Sequence, residues 1–523
     1  MKTKSFKFLL IFIILSLFTK TDYRLDTGIY CCKDDHDYYA HAETLAVDFD
    51  FDYSNQFLGK EFQRFNYKGK PAPSAFFGSG LLAAPFLFIG NLLDTFFKSS
   101  DLFNYKLIFY SFSSLFYLVF TAILWVKIAG LLNKNINSII LYILLLGSGV
   151  GYYAFERYSM SHVYEVFTVT LVIYLSLKYL ETSSNLYSLA LPVSILLSII
   201  TRWVNLYVLI IPLIINRLIG MNNKKFRNDR LIIFSSIFSV GLFVIHTYLI
   251  YGVVTFNPEF VYNTSGTFEN YISYTPSIWL FVSNNLANLF NLLFSFEFGL
   301  FWFAPIIFYG FVFSFKELFL SRNSKEMKYT YILIILCFLQ IFALVMIWRS
   351  AGSSYGFRYT FNLAPLGMLI YLIQNRVSNF ENRYLLTFSI FSLFSVIFFE
   401  TTKSTQLSLD YIENSFGKIT KFAQPEYLTG YISSVIELQS YLKIFAQSIF
   451  GFLIFYIFLI FFNLDDFNNF MSNLSLPIYN EDIQILLNKV TIIEIHKFII
   501  LILLNLLLSY LIFKSTNKVK INE

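Results

Sequence analysis

At 523 residues, with 56% hydrophobic and only 14% charged side chains, the chain is too apolar for a soluble globular protein. The formal charge of +6 is modest, and the lysines gather in a few loops without a basic stripe or module, which speaks against nucleic-acid binding. Three cysteines, two of them adjacent (Cys31, Cys32) and one in an apolar run (Cys337), make no disulfide framework.

Residues 1–20 carry Lys2, Lys4 and Lys7 ahead of a short apolar run with no small-residue cleavage site after it. That pattern predicts an uncleaved first transmembrane helix with a cytosolic N-terminus, rather than a signal peptide. The stretch Asp34 to Leu45 then packs four carboxylates and two imidazoles into a dozen residues. Unpaired carboxylates cost several kcal/mol in hydrocarbon, so this cluster belongs in water or a water-filled cavity. It opens an external polar loop over 20–75. The apolar run 78–97 is assigned to an interfacial helix, because counting it as a span would put Lys224, Lys225, Arg227, Arg230, Lys316, Arg322, Lys325 and Lys328 outside, against the positive-inside rule.

Apolar runs of about 17–25 residues broken by polar joints are the pattern of a polytopic helical membrane protein. Spans are expected at 105–129, 137–154, 163–180, 187–201, 204–219, 231–251, 298–315, 329–348, 359–374, 384–400, 442–462 and 497–513. Ile278 to Phe296 is apolar but Asn-bearing and is read as a second interfacial helix. The fold class is therefore all-α, a polytopic membrane protein of roughly 11–13 transmembrane helices with interfacial helices, the first of them in the first external loop. Residues 1–400 form one transmembrane module and 401–523 a C-terminal transmembrane extension with an external loop at 401–441. Lys514, Lys518 and Lys520 fall outside on this count, against the positive-inside rule.

With this topology the external joints carry Glu156, Arg157, His162, Arg202, Arg349 and Arg358. A lone arginine at a helix end commonly snorkels to the interface. Four on the face of the acidic stretch run against the positive-inside bias, and guanidinium groups suit phosphate oxygens. An acidic external site ringed by arginines suggests a substrate whose phosphate sits at the membrane surface. His36 and His41 beside carboxylates raise a divalent metal as a minority reading, with no diagnostic ligand spacing. Asp48, Asp50 and Asp52 alternate with aromatics, which reads as an extended stretch with rings turned to the interface or as a second carbohydrate-contacting edge. The aromatic- and amide-rich loop 254–277 is read as ordinary membrane-interface composition.

Several stretches resemble, in order, those of the GT-C class of membrane glycosyltransferases. They are Asp34-Asp35-x-x-Tyr38, the acidic run Asp48 to Asn55, and Gly69-Lys70-Pro71-Ala72-Pro73 leading into Gly80 to Pro85. Arg157 to His162, Phe298 to Pro305 and Gly352 to Tyr359 follow. The class includes dolichyl-phosphate-mannose protein mannosyltransferases and bacterial polyprenyl-phosphate-sugar transferases. The resemblance implies an inverting glycosyltransferase moving a sugar from a polyprenyl-phosphate-linked donor to a glycan, lipid or protein acceptor. It places the site at the external face of a bacterial inner or plasma membrane. It implies Asp34 and Asp35 as catalytic carboxylates, with Tyr38, Arg157, His162, Arg202, Tyr355 and Arg358 toward substrate, and no required cofactor. The family commonly pairs its first Asp with Glu where this chain has Asp35. Asp34 has an alternative role as a cap for a helix beginning near Asp37. Asp37 and Glu43 read as solvated or paired helix residues. The rival function is a polysaccharide or lipid-linked-glycan flippase or transporter, which calls for ionisable residues near mid-span and broken helices. A polymerase of another fold is a third reading.

Overall fold

The structure is a computed structural model that describes residues 33–59, 64–97, 105–134, 136–155, 157–219, 229–256, 286, 289–290, 292–294, 299–320, 325–348, 357–374 and 379–402. Tyr355, the spans expected at 442–462 and 497–513, the loop 254–277 past Phe256 and most of Ile278 to Phe296 lie outside the described residues.

The chain is an all-α, polytopic membrane protein. Helix α1 covers Lys33–Glu43 and runs into a wider turn, Thr44–Asp48. After a one-turn helix at Ser54–Phe57 come α2 (Phe77–Phe97), α3 (Tyr105–Leu131), α4 (Ser138–Leu145) and α5 (Gly151–Phe155). Then follow α6 (His162–Thr182), α7 (Asn185–Thr201), a tight 3-10 turn at Trp203–Ile210, α8 (Ile211–Ile219) and α9 (Asp229–Tyr251). The rest comprises α10 (Leu300–Phe303), α11 (Pro305–Leu320), α12 (Lys325–Trp348), a 3-10 turn at Arg358–Leu363, α13 (Ala364–Ile373) and α14 (Asn379–Thr402). Among the described residues, α2, α3, α6 and α12 are long and apolar enough to cross a membrane. At about 1.5 Å rise per residue, the 21 residues of α6 extend about 30 Å, the thickness of a hydrocarbon core.

The described helices after α1 fall where the apolar runs do, and the departures have local causes. The run at 137–154 is broken by a π-type turn, Leu146–Val150, in which Gly149 takes a φ of 90°, a conformation only glycine adopts freely. The run at 298–315 stops at Ala304 and restarts at Pro305, whose ring fixes a helical φ and needs no donor at a first position. Arg202 is extended (φ −166°) and separates α7 from the 3-10 turn, while Asn205 donates to the Ser198 carbonyl at 3.0 Å, satisfying the end of α7. In hydrocarbon there is no solvent drive for helix association, so close packing and internal hydrogen bonds hold the bundle. Gly310 and Gly367 meet between α11 and α13, where a Cβ on Gly310 would lie 2.7 Å from the Gly367 Cα.

The bundle has two ends. At one lie α1, the start of α6, Arg202 after α7, Tyr251 ending α9, and the 3-10 turn at Arg358; the Tyr251 hydroxyl donates to the Ala75 carbonyl at 2.6 Å. At the other, Lys134 after α3 donates to the Gln374 carbonyl after α13 at 2.8 Å, and Lys316 of α11 pairs with Glu381 of α14 at 3.0 Å. Helix α2 keeps to the first end. Its Tyr105–Tyr117 neighbours are the half of α3 nearest α1, with the Tyr117 hydroxyl donating to the Leu82 carbonyl at 3.0 Å and Gly90 against the backbone of Tyr105 and Lys106.

Candidate active site

Helix α1 carries the acidic stretch, and buried polar contacts fix it rather than apolar burial alone. Asp34 and Asp35 both lie within α1, so Asp34 does not cap a helix beginning near Asp37. Asp37 is buried and accepts from Arg64 at 2.6 Å and from the Ser74 amide and hydroxyl at 2.8 and 2.6 Å, clamping the loop 64–74 onto α1. Glu43 pairs with Lys106 at 2.8 Å and accepts from the Tyr39 hydroxyl at 3.0 Å.

His41 is fully buried, with Nε2 3.0 Å from the Ala75 carbonyl and Nδ1 2.9 Å from the Tyr53 hydroxyl. A carbonyl only accepts, so Nε2 carries the proton and Nδ1 accepts from Tyr53. Burial pushes the His41 pKa down to about 4, against an upward pull from the hydrogen bond to Ala75. Both ring nitrogens are thus in use within the fold, and His36 packs edge-on against Phe57. Among the described residues no group of three or more His, Cys, Asp or Glu side chains is placed to hold a metal. The Asp48–Asp52 stretch is not uniformly extended: Asp48 closes the turn after α1 and accepts from Gln56 at 2.7 Å, Phe49 and Phe51 are exposed, and Tyr53 is buried under His41.

At the first turn of α1 the two adjacent aspartates part. The Asp35 carboxylate is fully buried, 3.1 Å from Arg157 Nη2, and also accepts from the Ser159 hydroxyl. Asp34 keeps 45% of its side chain exposed and lies 3.7 Å from Arg358 Nη2. A hydrogen-bonded ion pair is shorter than that, so this contact is loose. Arg358 itself is buried yet thinly supplied: Nη2 donates to the Tyr359 hydroxyl at 3.0 Å, Nη1 reaches only the Met160 sulfur at 3.9 Å, and Nε has no partner among the described residues.

Beneath this pair lies a residue that the sequence reading passed over. Glu165, the fourth residue of α6, is buried and accepts from Arg202 Nη1 at 3.2 Å and from the Ser161 hydroxyl at 2.6 Å. His162 Nδ1 stands 3.3 Å from the same oxygen and 3.5 Å from Arg202; as arginine only donates, the nearer carboxylate makes Nδ1 the donor. The Tyr38 hydroxyl, held protonated by burial, donates to Ser161 at 3.3 Å and so ties α1 to this group. The second missed residue is Tyr359, whose ring centroid is 4.3 Å from the Arg202 guanidinium carbon and 4.9 Å from that of Arg358. An acidic residue inside an apolar run is the signal by which the sequence could have singled out Glu165.

The structure therefore gathers Asp34, Asp35, Tyr38, Arg157, His162, Arg202 and Arg358 at one end of the bundle, from stretches as far apart in sequence as Asp34 and Arg358. Its electrostatics are uneven. Arg157–Asp35 and Arg202–Glu165 are buried pairs, whereas Arg358–Asp34 is the loose, half-exposed one. A guanidinium with unfilled donors beside an exposed carboxylate can bind an anion and take a proton in the same place.

No family model matches the chain, and no curated protein matches it. Among solved structures it is similar to the archaeal oligosaccharyltransferase AglB from Archaeoglobus fulgidus, determined in complex with an inhibitory peptide and a dolichol-phosphate. The two share 10% sequence identity with a TM-score of 0.34, over 75% of this chain and 55% of that one, so the chain spans little more than half the length of that relative.

Proposed function

We propose that the protein is an inverting membrane glycosyltransferase that moves a sugar from a polyprenyl-phosphate-linked donor to an acceptor hydroxyl at the external membrane face. The observation that carries this reading is the Arg358–Asp34 pair, an under-satisfied buried guanidinium 3.7 Å from a half-exposed carboxylate. In the reaction, an Asp34 carboxylate oxygen takes the proton of the acceptor hydroxyl as its oxygen bonds to the anomeric carbon. The bond from that carbon to the donor phosphate breaks, and the departing oxygen keeps the electron pair. Arg358 meets the developing charge. Base and leaving group stand on opposite faces of the sugar in an in-line displacement, so the arriving donor parts Asp34 from Arg358. A loose pair suits that role where a tight one would not. Asp35, closed by Arg157 and Ser159, holds the 157–162 turn against α1.

A transporter would place ionisable groups near mid-membrane. Glu165 is instead four residues into α6 at the site end, together with the other charges. The test is transfer from a radiolabelled polyprenyl-phosphate-sugar pool by the full-length protein in nanodiscs. Arg358→Ala should abolish most turnover and Arg358→Lys restore only part, since lysine lacks the bidentate fork. Full turnover in Arg358→Ala would reject the assignment.

A further inference from the structure

We propose that Tyr359 is a positioning residue that holds Arg202 and Arg358 together as a two-guanidinium clamp for one phosphate group. The inference rests on the transferase reading above and extends it to how the anion site is assembled. Two guanidinium groups repel each other, and here both are buried and drawn to a single ring, at 4.3 Å for Arg202 and 4.9 Å for Arg358. The negative face of an aromatic ring attracts such cations, and guanidinium groups stack on it well. The phenol adds a second hold, accepting from Arg358 Nη2 at 3.0 Å. Glu165 Oε1 compensates Arg202 from the other side at 3.2 Å, while its Oε2 is buried with no partner among the described residues. Tyr359 remains partly exposed, so the assembly reaches the accessible part of the site.

Two observations show that this is more than a packed core contact. Arg358 Nη1 has only a thioether at 3.9 Å, and the guanidinium borders the half-exposed Asp34 at 3.7 Å, so it meets the open part of the site weakly held; its Nε is enclosed and faces no acceptor among the described residues. Arginine offers five N–H groups in a fixed fork, and one phosphate can accept from two such forks at once only if they are held in register. In water the two side chains would drift apart; the ring removes that freedom before the ligand arrives, which is preorganisation.

The experiment measures binding of farnesyl phosphate, with farnesol and inorganic phosphate as controls, to the full-length protein in detergent by thermophoresis. Wild type should bind farnesyl phosphate and not farnesol. Tyr359→Leu, which removes ring and hydroxyl, should weaken binding by about tenfold or more. Tyr359→Phe keeps the ring and should lose about threefold. In an Arg358→Lys background the Tyr359→Leu loss should shrink to less than about threefold, because the partner it positions is already altered. A tyrosine that only packs would cost the same factor in both backgrounds, and that result overturns the proposal. Unchanged affinity in either Tyr359 variant overturns it too, and Tyr359→Phe decides the matter if Tyr359→Leu does not fold. Failure of wild type to bind farnesyl phosphate would strike the phosphate-donor reading itself, a distinct outcome.

Discussion

Replacing each of the paired aspartates by asparagine separates chemistry from stability. Asp35 is fully buried against Arg157 at 3.1 Å. Asparagine there can still accept from Ser159 but removes the carboxylate charge that faces Arg157 in a low-dielectric place. Breaking a buried ion pair in this way costs about 3–5 kcal/mol. Asp34 is 45% exposed and 3.7 Å from Arg358, so its pairing adds less than about 1 kcal/mol. Asp34→Asn should then leave the thermal unfolding midpoint of the detergent-solubilised protein nearly unchanged. As the proposed base, it should lower the transfer rate by about 10²-fold or more. Asp35→Asn should lower the midpoint clearly, with whatever folded protein remains retaining a larger share of the rate. Both variants are followed by tryptophan fluorescence on heating and by transfer of labelled lipid-linked sugar. A silent Asp34→Asn, or an Asp35→Asn that is stable and inactive, would refute the division of roles argued from burial.

Arg64→Ala removes the partner of buried Asp37 at 2.6 Å and should destabilise by about 3–5 kcal/mol, read as a lower unfolding midpoint in detergent. His41, buried and neutral, has a folded pKa of about 4 against about 6.5 unfolded, so unfolding takes up a proton between those values. Its neutral-state stability is full above pH 6.5 and falls by about 3 kcal/mol as pH drops to 4. The acid-side slope of unfolding midpoint against pH should flatten in His41→Gln, and an unchanged slope would count against this origin. Gly367→Leu should disrupt the α11–α13 contact, since even a Cβ there meets the Ile306 carbonyl, and loss of monodisperse elution on size-exclusion chromatography checks it. With Cys31 and Cys32 replaced by serine, Asn55→Cys should react with an impermeant thiol reagent on intact cells and Asn185→Cys only after permeabilisation; the reverse pattern would invert the proposed orientation.

Hydropathy alone located most of the helices. The run at 163–180 became His162–Thr182 and that at 231–251 became Asp229–Tyr251, because run length against bilayer thickness is a property of neighbours in sequence. The same one-dimensional reasoning put Asp34, Arg157, Arg202 and Arg358 at one end, since successive spans alternate direction. It could not tell Asp34 from Asp35: one step along a helix turns a side chain by about 100°, and which direction faces protein depends on what packs there. Nor could it pair Glu165 with Arg202, 37 residues away, or Asp35 with Arg157, 122 residues away. Tyr359 was likewise indistinguishable from the many tyrosines that crowd a membrane interface until two arginines were found against its ring. Local hydropathy makes a helix and fixes its ends, whereas an ion pair inside a low-dielectric bundle exists only once packing has chosen the facing residues and excluded the water that would otherwise screen them.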